Sequence, residues 1–260
     1  MKTTYGKEVQ ARFASAGYTG SEIISDLHMA HLPEKVKEYI HLTGFAEHEK
    51  IRNVFLKASG QIRSSEKSGW MKFSSEQYNF FDSPFRAFYI NARKMGIPAT
   101  GLHLYKNETA TMKIKLMGMF TIADAKGPEM NQAETVTLLN DMCFMAPGTL
   151  INPQIKWEVT GKNEVKAIFT NGNIKVSAKL FFDNDGRLVN FISNDRFETD
   201  GKTYNNYPWE TPVTAYSKFG GYFLPSKADV IYKRPEGDFC YLKFRLEEIK
   251  YNVKKPNLSI

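Results

Sequence analysis

From Ile51 almost to the C-terminus, apolar side chains recur at every second position, and one stretch in the middle breaks the rhythm. That period sends alternate residues to opposite faces of a strand, so the chain is restricted to a sheet-dominated fold. "IRNVFLKASGQIRS", "GWMKFSSEQYNFF", "FRAFYINAR" and "ATMKIKLMGMFTIA" read as successive antiparallel strands, rich in aromatic and β-branched residues and divided by Gly, Ser, Asn or Pro. Further on, Val165, Ala167 and Phe169 alternate with polar neighbours. An Asn171–Gly172 turn follows, and Ile174, Val176, Ala178, Leu180 and Phe182 carry the alternation back. "DNDG" at 183–186 turns the chain again. "RLVNFISNDRFET", "TAYSKFGGYFLPSKADVIYK" with a break at Gly220–Gly221, and "DFCYLKFRLEEIKYNV" complete the strands, while residues 201–212 read as a loop held by Pro208 and Pro212.

The interruption is "ETVTLLNDMCFMAPGTLINP", residues 134–153. Asn131 and Glu134 have the spacing of a capping box, and Pro147–Gly148 ends the segment. Leu138, Met142 and Met145 form one row and Leu139, Cys143 and Ala146 the next, so the spacing predicts a helix with one broad apolar stripe. Burial of such side chains, at ~1.5–3 kcal/mol for each larger one, docks the helix into the hollow of a curved sheet. Two N-terminal helices are expected as well. One begins at Ser21 with Ile23, Ile24, Leu27 and Met29 on its apolar face; the other runs from Pro33 to a stop at Gly44.

The net charge is +7, but lysines and arginines are scattered among 28 acids. Pairs such as Lys113/Lys115 and Lys175/Lys179 fall on one side of a strand and read as solvated faces, with attraction to anionic lipid or polysaccharide as the alternative. With no nucleic-acid-binding signature and no basic-aromatic cluster, nucleic acid is not expected as a partner. Cys143 and Cys240 lack CxxC neighbours and read as two thiols, although one disulfide between them stays open. The first twenty residues hold no signal-peptide core and no membrane span, so the chain as given reads as soluble.

Motifs for known chemistry are missing: there is no GxSxG, Walker loop, GxGxxG, HExxH or paired CxxC. Asp26, His28 and His31 do not make a convergent ligand set, and "DNDG" lacks the spacing of a calcium loop. Neither a metal nor a cofactor is expected, and no catalytic residue is assigned. Asp141 and Asp195–Arg196 are candidates for a buried polar role, because isolated charge cannot be buried without partners. Methionines concentrate between Met112 and Met145; such side chains fill irregular core space or line surfaces that accept apolar ligands.

"LPEKVKEYIHLTG", "GWMKFSSEQYNFF", "TVTLLNDMCFMAPGTLINPQIKWE", "FFDNDGRLVNFISNDRF", "YPWETPVTAYSKFGGYFLPSKADVIY" and "FCYLKFRLEEIKYNV" together resemble an uncharacterised bacterial domain-of-unknown-function family. The resemblance implies an α+β fold similar to the lipoprotein-localisation-factor (LolA-like) half-barrel, a single strongly curved antiparallel sheet wrapped round a central helix. It divides the chain into an N-terminal extension with the first helix (1–31), the LolA-like domain (32–253) and a C-terminal tail (254–260). It also implies a place in the cell envelope, with membrane association through an N-terminal anchor carried by other members; "YGKEVQARF" would then be a juxtamembrane remnant or an ordinary polar N-terminus. The favoured expectation is a noncatalytic module that binds a lipid, acyl chain or other apolar ligand between sheet and helix. Met112, Leu138, Met142 and Met145 would line the site, with Arg196, Tyr207 and Trp209 at its polar end. The alternatives are an enzyme acting on a small or lipidic substrate, and a purely structural interaction domain with a filled core.

Overall fold

The computed structural model describes residues 1–17, 20–94 and 96–257. In chain order the helices α1 (Lys2–Ser15), α2 (Asp26–Met29) and α3 (Glu34–Leu42) come first. Strands β1 (Asn53–Ile62), β2 (Met71–Phe80), β3 (Phe85–Lys94), β4 (Ile97–Lys106), β5 (Thr109–Leu116) and β6 (Phe120–Lys126) form an antiparallel meander. The long helix α4 (Pro128–Met145) and a 3₁₀ turn (Pro147–Ile151) follow. The second half supplies β7 (Ile155–Gly161), β8 (Glu164–Asn171), β9 (Ile174–Phe182), β10 (Leu188–Ser193), β11 (Phe197–Thr199), β12 (Tyr204–Asn206), β13 (Trp209–Glu210), β14 (Val213–Phe219), β15 (Tyr222–Arg234) and β16 (Gly237–Tyr251).

All strands except the β11–β12 hairpin join one sheet, ordered β6-β5-β4-β3-β2-β1-β16-β15-β13-β10-β9-β8-β7, with β14 paired to β15. In a flat sheet β4 and β8, nine strand spacings apart along this path, would be ~43 Å from each other. Yet Asn171 Nδ2 on β8 donates to Tyr105 Oη on β4 at 2.7 Å, and the Asn173 amide donates to Glu108 Oε2 at 2.9 Å. The sheet is therefore curled until its two halves meet, and α4 lies inside the curl, touching β4, β5, β6, β9 and β15. The fold is α+β: one strongly curved antiparallel sheet around a central helix, with helices at the N-terminus.

This enclosure corrects the expectation of a single apolar stripe. Fourteen of the eighteen residues of α4 are buried, on every side of the helix. Its polar residues must then be bonded internally. Thr135 Oγ1 meets Tyr105 Oη at 2.7 Å and Asn140 donates to Thr211 Oγ1 at 2.8 Å. Near its C-terminus, carbonyls left open by the end of the helix accept from tyrosines: Cys143 O from Tyr39 at 2.9 Å, and Met145 O from Tyr251. The capping box is also corrected, because the helix starts at Pro128, one turn earlier than that reading required, after Gly127 in the left-handed region (φ 110°). Asn131 then accepts from the Ala110 amide at 2.7 Å and Glu134 turns into the core.

Other elements differ from the sequence reading in informative ways. Residues 2–15, read only as a polar or juxtamembrane stretch, form α1, whose Tyr5, Val9 and Phe13 lie on the convex face of the sheet against Phe55, Tyr78, Phe80 and Phe85. The helix expected from Ser21 shrinks to Asp26–Met29; Ile23 instead bridges to Glu49, and Leu27 is 83% exposed. "ATMKIKLMGMFTIA" is two strands, because Met117 (φ 52°) and Gly118 (φ 73°) turn the chain between them. The Asn171–Gly172 turn is displaced by one residue. Asn171 still pairs with Ile174 inside the ladder, so Gly172 and Asn173 form the loop, with positive φ at Gly172 alone of the two, as a type II′ turn requires. The second expected helix, the break at Gly220–Gly221 and the "DNDG" turn, where Asp183 Oδ1 accepts from the Asp185 and Arg187 amides, follow the reading. Both cysteines are free thiols.

Candidate functional site

Residues directly opposite one another in an antiparallel ladder share a face, so the register of β2 to β6 lays out the concave wall row by row. The row nearest the closed end is Asn79, Arg86, Tyr105 and Ala110; the next is Gln77, Phe88, His103, Met112 and Ala125. Above these lie Ser75, Ile90, Gly101, Ile114 and Ala123, then Phe73, Ala92, Ala99, Leu116 and Phe120. The lower rows carry the polar side chains, and the upper rows are almost wholly apolar.

Helix α4 crosses the lower rows and meets them with Glu134 and Asp141, two turns apart on one face. Arg86 ties the two acids together: its Nε donates to Asp141 Oδ2 at 2.8 Å and its Nη1 to Glu134 Oε2 at 3.0 Å. Asp141 Oδ2 also accepts from Gln77 (2.7 Å) and Asn79 (3.0 Å), while Gln77 Oε1 accepts from Arg86 Nη2 at 3.3 Å. His103 Nδ1 lies 3.1 Å from the second oxygen of Glu134. Burial alone would raise the pKa of Glu134, but the Arg86 charge and the His103 contact outweigh it and hold the carboxyl at about 2. Arg86, for which burial acts in the opposite direction, is pushed above its ordinary value by Asp141 and Glu134. The network reaches solvent only at the margins, where the His103 and Asp141 side chains are 18% and 12% exposed. Among the described residues, the side-chain hydrogen-bond partner of His103 is Glu134.

A second feature faces the same wall. The β11–β12 hairpin spans from β15 to β6: Phe197 O accepts from Tyr232 Oη and Glu198 pairs with Arg234, while Gly201 rests on Ala123 and Tyr204 Oη donates to Lys126 O at 2.9 Å. At the foot of this strap Arg196 donates to Thr137 Oγ1 on α4 (3.1 Å) and to Tyr232 Oη, and lies 4.7 Å above the Trp209 ring. Among the described residues no carboxylate lies within ion-pair distance of Arg196. Its neighbour Asp195 is used elsewhere, accepting from the Ser177 amide at 2.6 Å and the Ser177 hydroxyl at 3.0 Å.

The residues singled out from sequence are partly assembled. Arg196 and Trp209 stack, and Tyr207 packs at the border of the same core. Met112 sits in the second row of the wall, 8% exposed. Leu138, Met142 and Met145 are at most 5% exposed and fill the space between helix and sheet with the protein's own side chains. Two surface hollows, of about 680 and 260 Å³, are lined by none of these residues. Asp141 is buried, as expected of a partnered polar group, and its cation is Arg86. The sequence reading missed Arg86, His103, Gln77 and Asn79; the available signal was polar residues at positions where the alternation demands apolar ones. No group of three or more potential metal ligands occurs among the described residues.

No curated protein matches the chain. Among solved structures, a putative outer membrane lipoprotein-sorting protein domain from Vibrio parahaemolyticus is similar, with 7% identity, a TM-score of 0.47, and coverage of 79% of this chain and 88% of that one. A family of unknown function, DUF6544, matches residues 22–244, and the chain belongs to that family.

Proposed function

We propose that the protein is a noncatalytic cell-envelope module that holds an acyl chain or comparable apolar ligand on the upper concave wall, beside α4 and under the β11–β12 strap. The observation that carries this reading is the division of the wall. Its lower rows are covered by α4 and filled. Its upper rows carry an apolar cluster of Phe73, Ile90 and Ala92 separate from the main core, with Ile114 and Leu116 only partly buried and Phe120 61% exposed. An apolar surface inside a concavity is suited to a ligand with few polar groups. Arg196, which has no carboxylate within ion-pair distance among the described residues, would bind the anionic end of such a ligand. Leu138, Met142 and Met145 then act as the floor beneath the site, and Met112 borders it.

The test is titration with a fluorescent fatty acid and with the corresponding fatty alcohol. Arg196→Met should weaken the acid at least tenfold and leave the alcohol nearly unchanged, while Ala99→Trp should block both. Equal, unsaturable signals for all variants would remove the proposal.

A further inference from the structure

The end of the sheet where the start of β4 and the β5–β6 turn lie side by side carries the densest group of exposed apolar side chains on the described surface. Met119 is 69% exposed, Phe120 61%, Ile122 54%, Met117 52% and Ile97 49%. The two segments are held together, the Met117 amide donating to Pro98 O at 2.8 Å, so these side chains form one rim and not scattered surface positions. Monomeric proteins rarely leave such a patch without a partner.

The convex face just behind the rim is basic. Lys72 and Arg93 stand directly opposite each other in the β2–β3 ladder, where like charges repel, and neither has an ion-pair partner among the described residues. They line the hollow of about 680 Å³ together with Trp70, Ser74 and Asn91. Arg63 and Lys243 lie 4.6 and 5.5 Å from the Trp70 ring, and Lys115 is directly across the ladder from Thr121 beside the rim. No acidic residue lines that hollow, and between Arg93 and Ile122 the one acid is Glu108, at the opposite end of β4, where it is engaged by Asn173.

An apolar rim backed by unpaired cations and an indole has the chemistry of a bilayer interface: the apolar side chains enter the acyl boundary while the cations meet lipid phosphates. A second copy of the chain fits less well, because a symmetric contact through this rim would bring the same cations toward one another. We infer that this end of the sheet docks on the surface of an anionic lipid bilayer. The rim shares Phe120 with the ligand reading, but its other side chains and the cations of the convex face take no part in that site.

Co-sedimentation with vesicles tests it. The intact chain should bind vesicles of roughly equal parts phosphatidylcholine and phosphatidylglycerol, bind pure phosphatidylcholine at least tenfold more weakly, and lose affinity as salt rises. Met119→Ser combined with Ile122→Ser, both exposed and therefore tolerated by the fold, should lower binding about tenfold or more. Lys72→Glu with Arg93→Glu should do the same and flatten the salt dependence, at ~1 kcal/mol or about fivefold for each cation removed. Circular dichroism and retention of the fluorescent fatty acid should be unchanged in both, which separates failure here from failure of the ligand reading. No vesicle binding by the intact chain, or binding that ignores both double variants, overturns the proposal. So does a rim-dependent dimer in sedimentation equilibrium without vesicle binding.

Discussion

The Tyr105 hydroxyl and the Asn171 side-chain amide, 2.7 Å apart, join strands separated by nine places along the sheet. That bond, with the Glu108 carboxylate on the Asn173 amide, fastens the lower mouth of the curl. Asn171→Ala should cost about 1 kcal/mol, the net value of one such bond, since Tyr105 keeps Thr135. Hydrogen exchange should accelerate in the turns after β4 and β8 and stay unchanged in β1 and β16.

Arg86 has a larger role. Arg86→Met leaves two carboxylates buried without a cation and should destabilise the fold by ~3–5 kcal/mol in urea unfolding. Adding Glu134→Gln and Asp141→Asn removes the uncompensated charge and should recover most of that loss. Failure of the triple variant to recover would mean that the network matters for shape and not for charge.

Acid sensitivity follows from Glu134. Its folded pKa, about 2, lies below the ordinary 4.5, so the folded state binds the proton more weakly than the unfolded chain. The resulting stability is present above pH ~4.5 and is lost as pH falls toward 2, with a total on the order of 3 kcal/mol. Urea midpoints measured between these limits should fall in the parent and fall less in Glu134→Gln.

Tyr5 presents an opposite case. Its ring, on the underside of α1, is fully buried, but its hydroxyl has no hydrogen-bond partner among the described residues. Tyr5→Phe should therefore be neutral or stabilising, whereas Tyr5→Ala should cost ~3–5 kcal/mol and expose the convex cluster to hydrophobic dyes. A destabilised Tyr5→Phe would reveal a partner for that hydroxyl.

Much of the architecture was legible because burial imposes a period. Val165 to Phe182 alternate since one face of β8 and β9 is buried and the other wet, and Gly220–Gly221 break a strand where the chain must reverse. α1 was not legible, because Tyr5, Val9 and Phe13 make only a thin apolar line among charged neighbours. The start of α4 was misplaced because Asn131 and Glu134 satisfy a local capping rule that tertiary partners override. The site was least legible of all. Arg86, His103, Gln77 and Asn79 look like surface residues in one dimension, and only the cross-strand register reveals that they converge on Glu134 and Asp141.

The most direct measurement is native mass spectrometry of the gently purified protein, followed by organic extraction. The account predicts an apolar, acyl-bearing species that stays with the intact chain and is missing from Ala99→Trp. A bare protein mass, with no extractable lipid before or after incubation with fatty acid, would contradict it.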